Sequence, residues 1–547
     1  MNLANIASRL ATVAAEFPEQ PAVMMANEAG APQQCTLREL DERSTVLGRG
    51  LRRLGLARGM RAVLMVPPGL DFFALVFALF KAGVVLVGID PGMGVKNIGK
   101  CLAQAAPDAF IGNGKSHLAR RLAGWARHSL RYRISTEALL IPGRTMRLSQ
   151  VILQGGETDG DSDDASGPGD QAAILFTSGS TGVPKGVAYT HANFSAQVDA
   201  LQQTFDIQKG EIDLATFPLF ALFAPVLGMT ALIPQMDFTR PGAVNAASIV
   251  QSINRFQATS MFGSPALLDR VGRWGAEHHA RLPTLRRVLC AGAPVAPAIL
   301  ERFSAMLEPG VCIHTPYGAT EALPVSTISS VEVLQETRPL TDQGRGVCVG
   351  RPVAGITVRI IPVSDAPIAS WSNDLALGPG EMGEIIVQGP QVTASYFQLE
   401  QATQLAKIRD GAENFFHRMG DLGYFDDQGR LWFCGRKSQR VETASGTCYT
   451  ISCEAVFNVH PKVRRTALVS VIKKGCRVPV ICVELEDGYG KADHDNVRAE
   501  LLDLGGRFPH TRVIEDFLFH PGFPVDIRHN AKIGREQLSK WAGKFIR

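Results

Sequence analysis

Ten consecutive residues, Thr177-Ser178-Gly179-Ser180-Thr181-Gly182-Val183-Pro184-Lys185-Gly186, have the composition needed to hold a polyanion. Their glycines let the backbone approach closely and take positive φ. Hydroxyls and free backbone N–H groups can donate to phosphate oxygens, and Lys185 adds a full positive charge. The preceding Ala172-Ala173-Ile174-Leu175-Phe176 reads as a short buried strand. A strand feeding such a loop is a phosphate cradle. It is not a Walker A loop, in which Gly-Lys is followed by Ser or Thr. Here Pro184 precedes the lysine and Gly186 follows it.

The order of these residues resembles the signature of the adenylate-forming enzymes: acyl-CoA synthetases, peptide-synthetase adenylation domains and luciferases. Further blocks follow in the family's order. Tyr317-Gly318-Ala319-Thr320-Glu321 resembles the Tyr-Gly-x-Thr-Glu block, which implies that Thr320 binds phosphate and Glu321 helps hold Mg²⁺. A hard cation requires such an oxygen ligand. Gly292-Ala293-Pro294 is similar to the loop lining the adenine. Asp421, after Gly420, matches the aspartate that accepts bonds from the ribose hydroxyls, and a carboxylate can accept two at once. Arg436, after Gly435, matches the arginine at the domain junction that reaches ribose or phosphates. Lys532 resembles the lysine near the C-terminus that contacts the substrate carboxylate and α-phosphate, although its spacing from Pro524 is longer than usual.

The resemblance therefore implies ATP and Mg²⁺ as cofactors and a catalytic set of Lys185, Thr320, Glu321 and Lys532. The nucleotide would be held by Thr177, Ser178, Gly179, Ser180, Thr181, Gly182, Lys185, Gly292, Ala293, Pro294, Tyr317, Gly318, Thr320, Asp421 and Arg436. N-terminal segments such as Phe17-Pro18-Glu19-Gln20-Pro21-Ala22 and Lys81-Ala82-Gly83 also look like the family's opening blocks, so the resemblance spans almost the whole chain.

Two features bear on the acid and on the fate of its adenylate. In thioester-forming relatives the junction commonly reads Gly-Arg-x-Asp followed by Ile-Lys. This chain has Ser438 at the aspartate position and Glu442 in place of the lysine, and Gly446 comes about one residue late. Meanwhile Pro218 to Pro225 is apolar throughout, with Ala221 where relatives often carry histidine. Phe220, Ala221, Phe223, Met229 and Phe262 could together line a pocket for an alkyl-chain acid, although each alone reads more readily as core. The Phe-Pro-Leu-Phe-Ala-Leu-Phe segment (217–223) and the end Phe523 to Lys532 resemble the OleC-type β-lactone synthetases of bacterial long-chain olefin biosynthesis. That resemblance implies adenylation of a lipid-like 2-alkyl-3-hydroxy acid, then attack by its own β-hydroxyl to give a β-lactone. A fatty acyl-CoA or acyl-AMP ligase is the alternative. A noncatalytic relative would be expected to lack Lys185, Glu321, Asp421 or Lys532, and all four are present. His191 and His417 are the candidates for a base, but His191 reads more readily as structural and neither is assigned.

These residues need a frame. A chain of 547 residues exceeds one core. Short apolar strands at Ala62–Val66, Val84–Ile89 and Ala109–Ile111, with a helix over Asp71–Lys81, predict a parallel sheet covered by helices. The Gly-, Asp- and Ser-rich run from Gln154 to Asp170 reads as loop. A second alternating unit spans Phe217–Pro324, and closer-spaced strands from Val347 to Val387 predict an antiparallel region. After Arg436 the pattern changes to a hairpin, Thr466–Ile472 with Val478–Glu484, and a helix near Asn496–Leu504. The expected fold is α/β: a large N-terminal domain (1–436) of parallel α/β subdomains plus a β-rich subdomain, and a smaller, mobile α+β C-terminal domain (437–547). The net charge of +4 predicts no nucleic-acid partner. The ten cysteines, without any Cys-x-x-Cys pair, suit reduced thiols in the cytoplasm. No signal peptide or integral membrane segment is expected, since Lys81 and Gly83 break the most apolar run. A complex with other olefin-pathway enzymes is a further expectation from the resemblance.

Overall fold

A computed structural model describes residues 5–27, 30–137, 145–156, 166–177, 184–217, 221–443, 446–473, 475–525 and 533–546. In its first sheet, Gln171–Thr177, Val85–Gly88, Arg61–Met65, Ala109–Gly112 and Tyr132–Ser135 lie side by side and parallel, in that order. Helix Leu70–Lys81 joins two of them and is buried at every position from Phe72 to Phe80. Burial all round explains why this segment shows no polar face. The expected strand-helix-strand unit is present, with the helix starting one residue early.

The long loop expected from Gln154 starts later than the sequence suggests. Helix Leu148–Gly155 takes its first two residues. Gly155 lies so close to the neighbouring helix that a Cβ there would sit 1.9 Å from Val46 O. Close backbone approach thus recruits a glycine that reads as a loop residue.

The second sheet changes character along its length. Pro21–Met25, Thr230–Ile233, Ile212–Ala215, Ser260–Gly263, Arg287–Cys290 and Cys312–Ala319 are parallel. Cys312–Ala319 then folds back on Ala322–Ser329, and the strands beyond it are antiparallel: Val347–Pro352, Leu431–Arg436, Asn414–Phe425, Gly383–Gln388 and Thr357–Ile361. This is the expected β-rich region.

The last part of the chain forms its own small sheet. Val463–Lys473 and Cys476–Leu485 make the expected hairpin, and Asp516–Phe519 joins the second strand in parallel. Helices Thr450–Asn458 and His494–Gly506 cover it, the latter enclosing the expected 496–504 span. Phe457, Leu468, Ile481, Val483, Val497, Leu501 and Phe517 form a core separate from those of the N-terminal part. The result is a large α/β part and a smaller α+β part. Among the described residues no helix is long and apolar enough to cross a membrane.

Candidate functional site

Thr177 and the segment Gly292 to Pro294 stand at the carboxyl ends of parallel strands, where open α/β sheets bind their ligands. Gln171–Thr177 pairs antiparallel with Lys185–Thr190, so Thr177 faces Lys185 across the ladder. Gly186 cannot be replaced cheaply, since a Cβ there would meet Ile174 Cγ2 at 2.8 Å. Ser178, Gly179, Ser180, Thr181 and Gly182 lie outside the described residues. Lys185 Nζ stands 5.0 Å from the centroid of the Tyr396 ring. Tyr396 is brought there by the short strand Ser395–Tyr396, which pairs with Lys185–Thr190. Its hydroxyl donates to Glu321 Oε1 at 2.7 Å. The lysine of one motif and the glutamate of another are therefore linked through a tyrosine that motif reading does not select.

Thr320 and Glu321 form the turn between Cys312–Ala319 and Ala322–Ser329. The hairpin is tight, because a Cβ on Gly318 would meet Ala322 O at 2.6 Å. Tyr189 Oη donates to Thr320 O and itself accepts from Gln197 Nε2 at 3.1 Å. On the other side, Thr393 donates its N–H (2.9 Å) and hydroxyl (3.2 Å) to Glu321 O. Lys407 Nζ in turn donates to Thr393 O. The turn is pinned by its backbone, while Glu321 Oε2 accepts no hydrogen bond among the described residues. That free oxygen fits a hard cation. Among the described residues no group of three or more His, Cys, Asp or Glu could hold a metal ion. A Mg²⁺ here would rest on Glu321 and on the oxygens of its ligand, as this ion does in nucleotide sites.

Asp421 forms a second corner. Gly420 takes φ +66°, a backbone conformation for which glycine is suited, just before it. Asp421 is 2% exposed; its Oδ2 accepts from Tyr317 Oη at 2.6 Å, and Oδ1 lies 3.0 Å from Arg436 Nη1. Arg436 is its cross-strand neighbour, so register alone joins these two motifs. Burial pushes the Asp421 carboxyl up despite the guanidinium beside it. The Asp421 charge in turn holds Arg436 above its usual range. Oδ1 is buried and makes no well-aligned hydrogen bond. An orphaned carboxylate oxygen next to a half-exposed guanidinium fits a vicinal diol carrying phosphate.

Gly292, Ala293 and Pro294 follow strand Arg287–Cys290 at its carboxyl end, with Gly292 and Pro294 exposed and Gly292 at φ +102°. Lys532 and Phe220 lie outside the described residues. Ala221, Phe223 and Met229 are buried in the N-terminal core, where the Phe223 ring is 5.7 Å from that of Phe194. Phe262 packs elsewhere, 6.0 Å from Phe217. His191 is a core residue, edge-on to Phe80 at 5.6 Å and pushed down to about 4 by burial. That matches its structural reading.

Two residues outside the motifs complete the electrostatics. Burial pushes Lys407 down to about 7, against the pull of Glu321. His417, opposite Lys407 in register, is held well below its usual range by burial and then by the Lys407 charge. Neither Lys407 nor Tyr396 stands in a recognisable motif; only the pairing of their strands places them.

Comparison with known proteins agrees with this geometry. The family described as AMP-binding enzyme matches residues 10–397. The olefin beta-lactone synthetase of Xanthomonas campestris pv. campestris is 47% identical, over 99% of this chain and 98% of its own. That of Stenotrophomonas maltophilia is also 47% identical, over 98% of each chain. Among solved structures, the amide bond synthetase McbA from Marinactinospora thermotolerans superposes with a TM-score of 0.80 at 22% identity, covering 98% of this chain and 99% of its own. The o-succinylbenzoate coenzyme A synthetase MenE from Bacillus subtilis, in complex with ATP and magnesium ion, gives 0.74 at 21% identity, covering 97% and 98%. The chain belongs to the AMP-binding, adenylate-forming enzymes, which are ATP-dependent ligases that release AMP.

Proposed function

We propose that this ligase activates a long-chain 2-alkyl-3-hydroxy acid and closes it to a β-lactone, releasing AMP and pyrophosphate. The observation that carries this reading is the 47% identity to two olefin beta-lactone synthetases over nearly the full length. The site supplies the means. A carboxylate oxygen attacks the α-phosphorus of ATP, and the bond from that phosphorus to pyrophosphate breaks. Two anions must meet, so positive charge is needed at the phosphates; Lys185, opposite Thr177 in register, is proposed to supply it together with Lys532. Bound Mg²⁺, held by Glu321, would neutralise phosphate charge. Asp421 and Arg436 would grip the ribose, Thr177 to Gly182, Tyr317, Gly318 and Thr320 the phosphates, and Gly292 to Pro294 the adenine edge.

In the second half the β-hydroxyl oxygen attacks the activated carbonyl, the bond to AMP breaks, and the hydroxyl proton leaves to solvent or a base. An intramolecular nucleophile has a high effective concentration and needs no second substrate tunnel. Ser438 and Glu442, in place of the thioester-forming pattern, accord with this. The junction is also laced to the N-terminal part: Lys437 Nζ reaches Glu384 Oε1 at 3.1 Å, and Arg440 Nη2 reaches Asp365 at 2.7 Å. We place the domain boundary after Arg436, with residues 437–547 as a mobile lid, and assign the enzyme to the cytoplasm beside the other enzymes of an olefin pathway.

The purified protein is given ATP, Mg²⁺ and a long-chain 2-alkyl-3-hydroxy acid, and the products are read by NMR and mass spectrometry. A β-lactone and AMP formed without coenzyme A are expected; strict dependence on coenzyme A with a thioester product overturns the reading. Lys185→Ala should lower AMP formation about 100- to 1000-fold, with the far-UV spectrum unchanged.

A further inference from the structure

Between Val95 and Arg133 the chain carries eight cations, Lys96, Lys100, Lys115, Arg120, Arg121, Arg127, Arg131 and Arg133, against one carboxylate, Asp108. That is net +7, whereas the whole chain is +4, so the remainder is net negative. Lys96, Lys100, Lys115, Arg120 and Arg121 stand on two helices that pack into one core against the first sheet. Helices Val95–Ala105 and Gly114–Ala123 and the turn after them share one core, Ile98, Cys101, Leu102, Phe110, Trp125 and Leu130. Asp108 is turned away, accepting from Arg61 N at 3.0 Å. The nearest acid along the chain, Glu137, caps the start of the second helix through Gly114 N at 3.0 Å. Among the described residues none of the eight cations forms an ion pair. Arg120, over the Phe110 ring, is held below its usual range by burial first and then by the charges of Arg133 and Arg121.

The same surface is apolar where a folded protein avoids it. On helix Gly114–Ala123, His117 faces the core, while Leu118 and Leu122, one turn apart, are 50% and 79% exposed. Lys115 and Arg121 flank them and are also exposed. Val95, on the neighbouring helix beside Lys96, is 63% exposed. Exposed leucines flanked by Lys115 and Arg121, neither in an ion pair among the described residues, are the pattern of a helix that lies in a membrane interface, apolar side chains dipping below the headgroups and cations meeting anionic lipid.

We propose that this face docks the enzyme on anionic lipid surfaces, with Leu118 and Leu122 inserted and the surrounding lysines and arginines on the headgroups. The charge alone would equally suit a nucleic acid. Two leucines held out in water favour the lipid, because a polyanion in solution gives them nothing to bury against. The inference stands whichever acid the enzyme activates, although a surface that supplies greasy acids suits such an enzyme.

The full-length protein is tested by co-sedimentation with vesicles of phosphatidylcholine alone or with 30% phosphatidylglycerol, at about 0.1 M salt. Binding to the anionic vesicles only is expected, weakening steeply with salt. Arg121→Gln with Arg127→Gln should weaken partitioning about fivefold per removed charge, and Leu118→Ser with Leu122→Ser should weaken it at least tenfold. Adenylation of a water-soluble acid should be unchanged in both variants, which controls for folding. No binding to anionic vesicles, equal binding to neutral ones, or indifference to the leucine pair each overturns the proposal. Tighter binding to RNA than to vesicles, unaffected by the leucine substitutions, would assign the face to nucleic acid and overturn it as well.

Discussion

Strand Asn414–Phe425 carries one member of each of two buried arginine–carboxylate pairs, and they are built to opposite ends. Arg418 with Glu384 is sealed: their side chains are 2% and 1% exposed. Every guanidinium nitrogen of Arg418 is engaged, with Glu384 Oε2 at 2.6 and 3.2 Å and the carbonyls of Ala366, Leu405 and Ser364. Lys437 adds a second cation to the same carboxylate. Asp421 with Arg436 is left open. The Arg436 side chain is 38% exposed and, among the described residues, only its Nη1 is engaged, with Asp421 and Met419 O. Each carboxylate keeps one buried oxygen, Glu384 Oε1 and Asp421 Oδ1, without a well-aligned hydrogen bond, so the difference lies in the arginines: one whose guanidinium is spent internally holds the fold, and one that withholds nitrogens can take a ligand.

The comparison can be broken most directly at the sealed pair. Glu384→Gln leaves the buried Arg418 and the partly buried Lys437 without a counter-charge and should cost about 3–5 kcal/mol. In thermal unfolding this is a large fall in Tm, with the KM for ATP in the folded fraction unchanged. If the KM rises instead while Tm holds, the sealed pair belongs to the site and the contrast fails.

The open pair should respond the other way. Asp421→Asn should lower kcat/KM for ATP about 10- to 100-fold through lost charge-assisted hydrogen bonds. Its Tm should move by no more than about 3 °C. The sign follows from linkage. Burial raises the Asp421 pKa in the folded state, so between the unfolded and folded values the native protein binds more protons. Stability therefore falls as pH rises through that window, and above it the ionised carboxylate is a burden until a ligand satisfies it. A loss of Tm as large as that of Glu384→Gln would erase the distinction.

His191 sharpens the contrast by showing what a sealed titratable group does without a partner. Burial lowers it from 6.5 to about 4. The unfolded chain then binds the extra proton, so stability is complete above pH 6.5 and declines as pH falls toward 4. The loss is at most about 3 kcal/mol. Denaturant midpoints across this range should flatten in His191→Gln, whatever that variant costs at pH 7. Smallest is Tyr396→Phe. Removing its bond to Glu321 should cost about 1 kcal/mol, seen as roughly a fivefold higher Mg²⁺ requirement, with stability close to the parent.

Legibility followed the same division. The glycine-rich loop pattern, the block around Thr320 and Glu321, Asp421 and Arg436 stand out in the sequence because each belongs to a motif of particular residue types in a contiguous order. Tyr396 and Lys407 do not, since their places come from strand pairing: Tyr396 opposite Val187, and Lys407 opposite His417. The sealed pair was equally hidden. Glu384 looks like any strand-end carboxylate until its burial is known. Composition also could not separate core from pocket around Pro218 to Pro225, because packing against Phe194 and lining a greasy cavity ask for the same side chains. The fold's change from parallel to antiparallel strands was readable from strand spacing alone, whereas the helix ending at Gly155 depended on contact with Val46, which no local pattern reports.

One strand, Cys312–Ala319, is hydrogen-bonded on one side to the parallel half of the second sheet and on the other to its antiparallel half. It therefore works as a shared spine. Tyr317 and the turn after it inherit their coordinates from both halves at once, so neither half can tilt or slip by itself without carrying the Tyr317–Asp421 corner along. Precision at this corner is a property of the whole sheet, and a substitution remote from the chemistry reaches it by leaning on that spine.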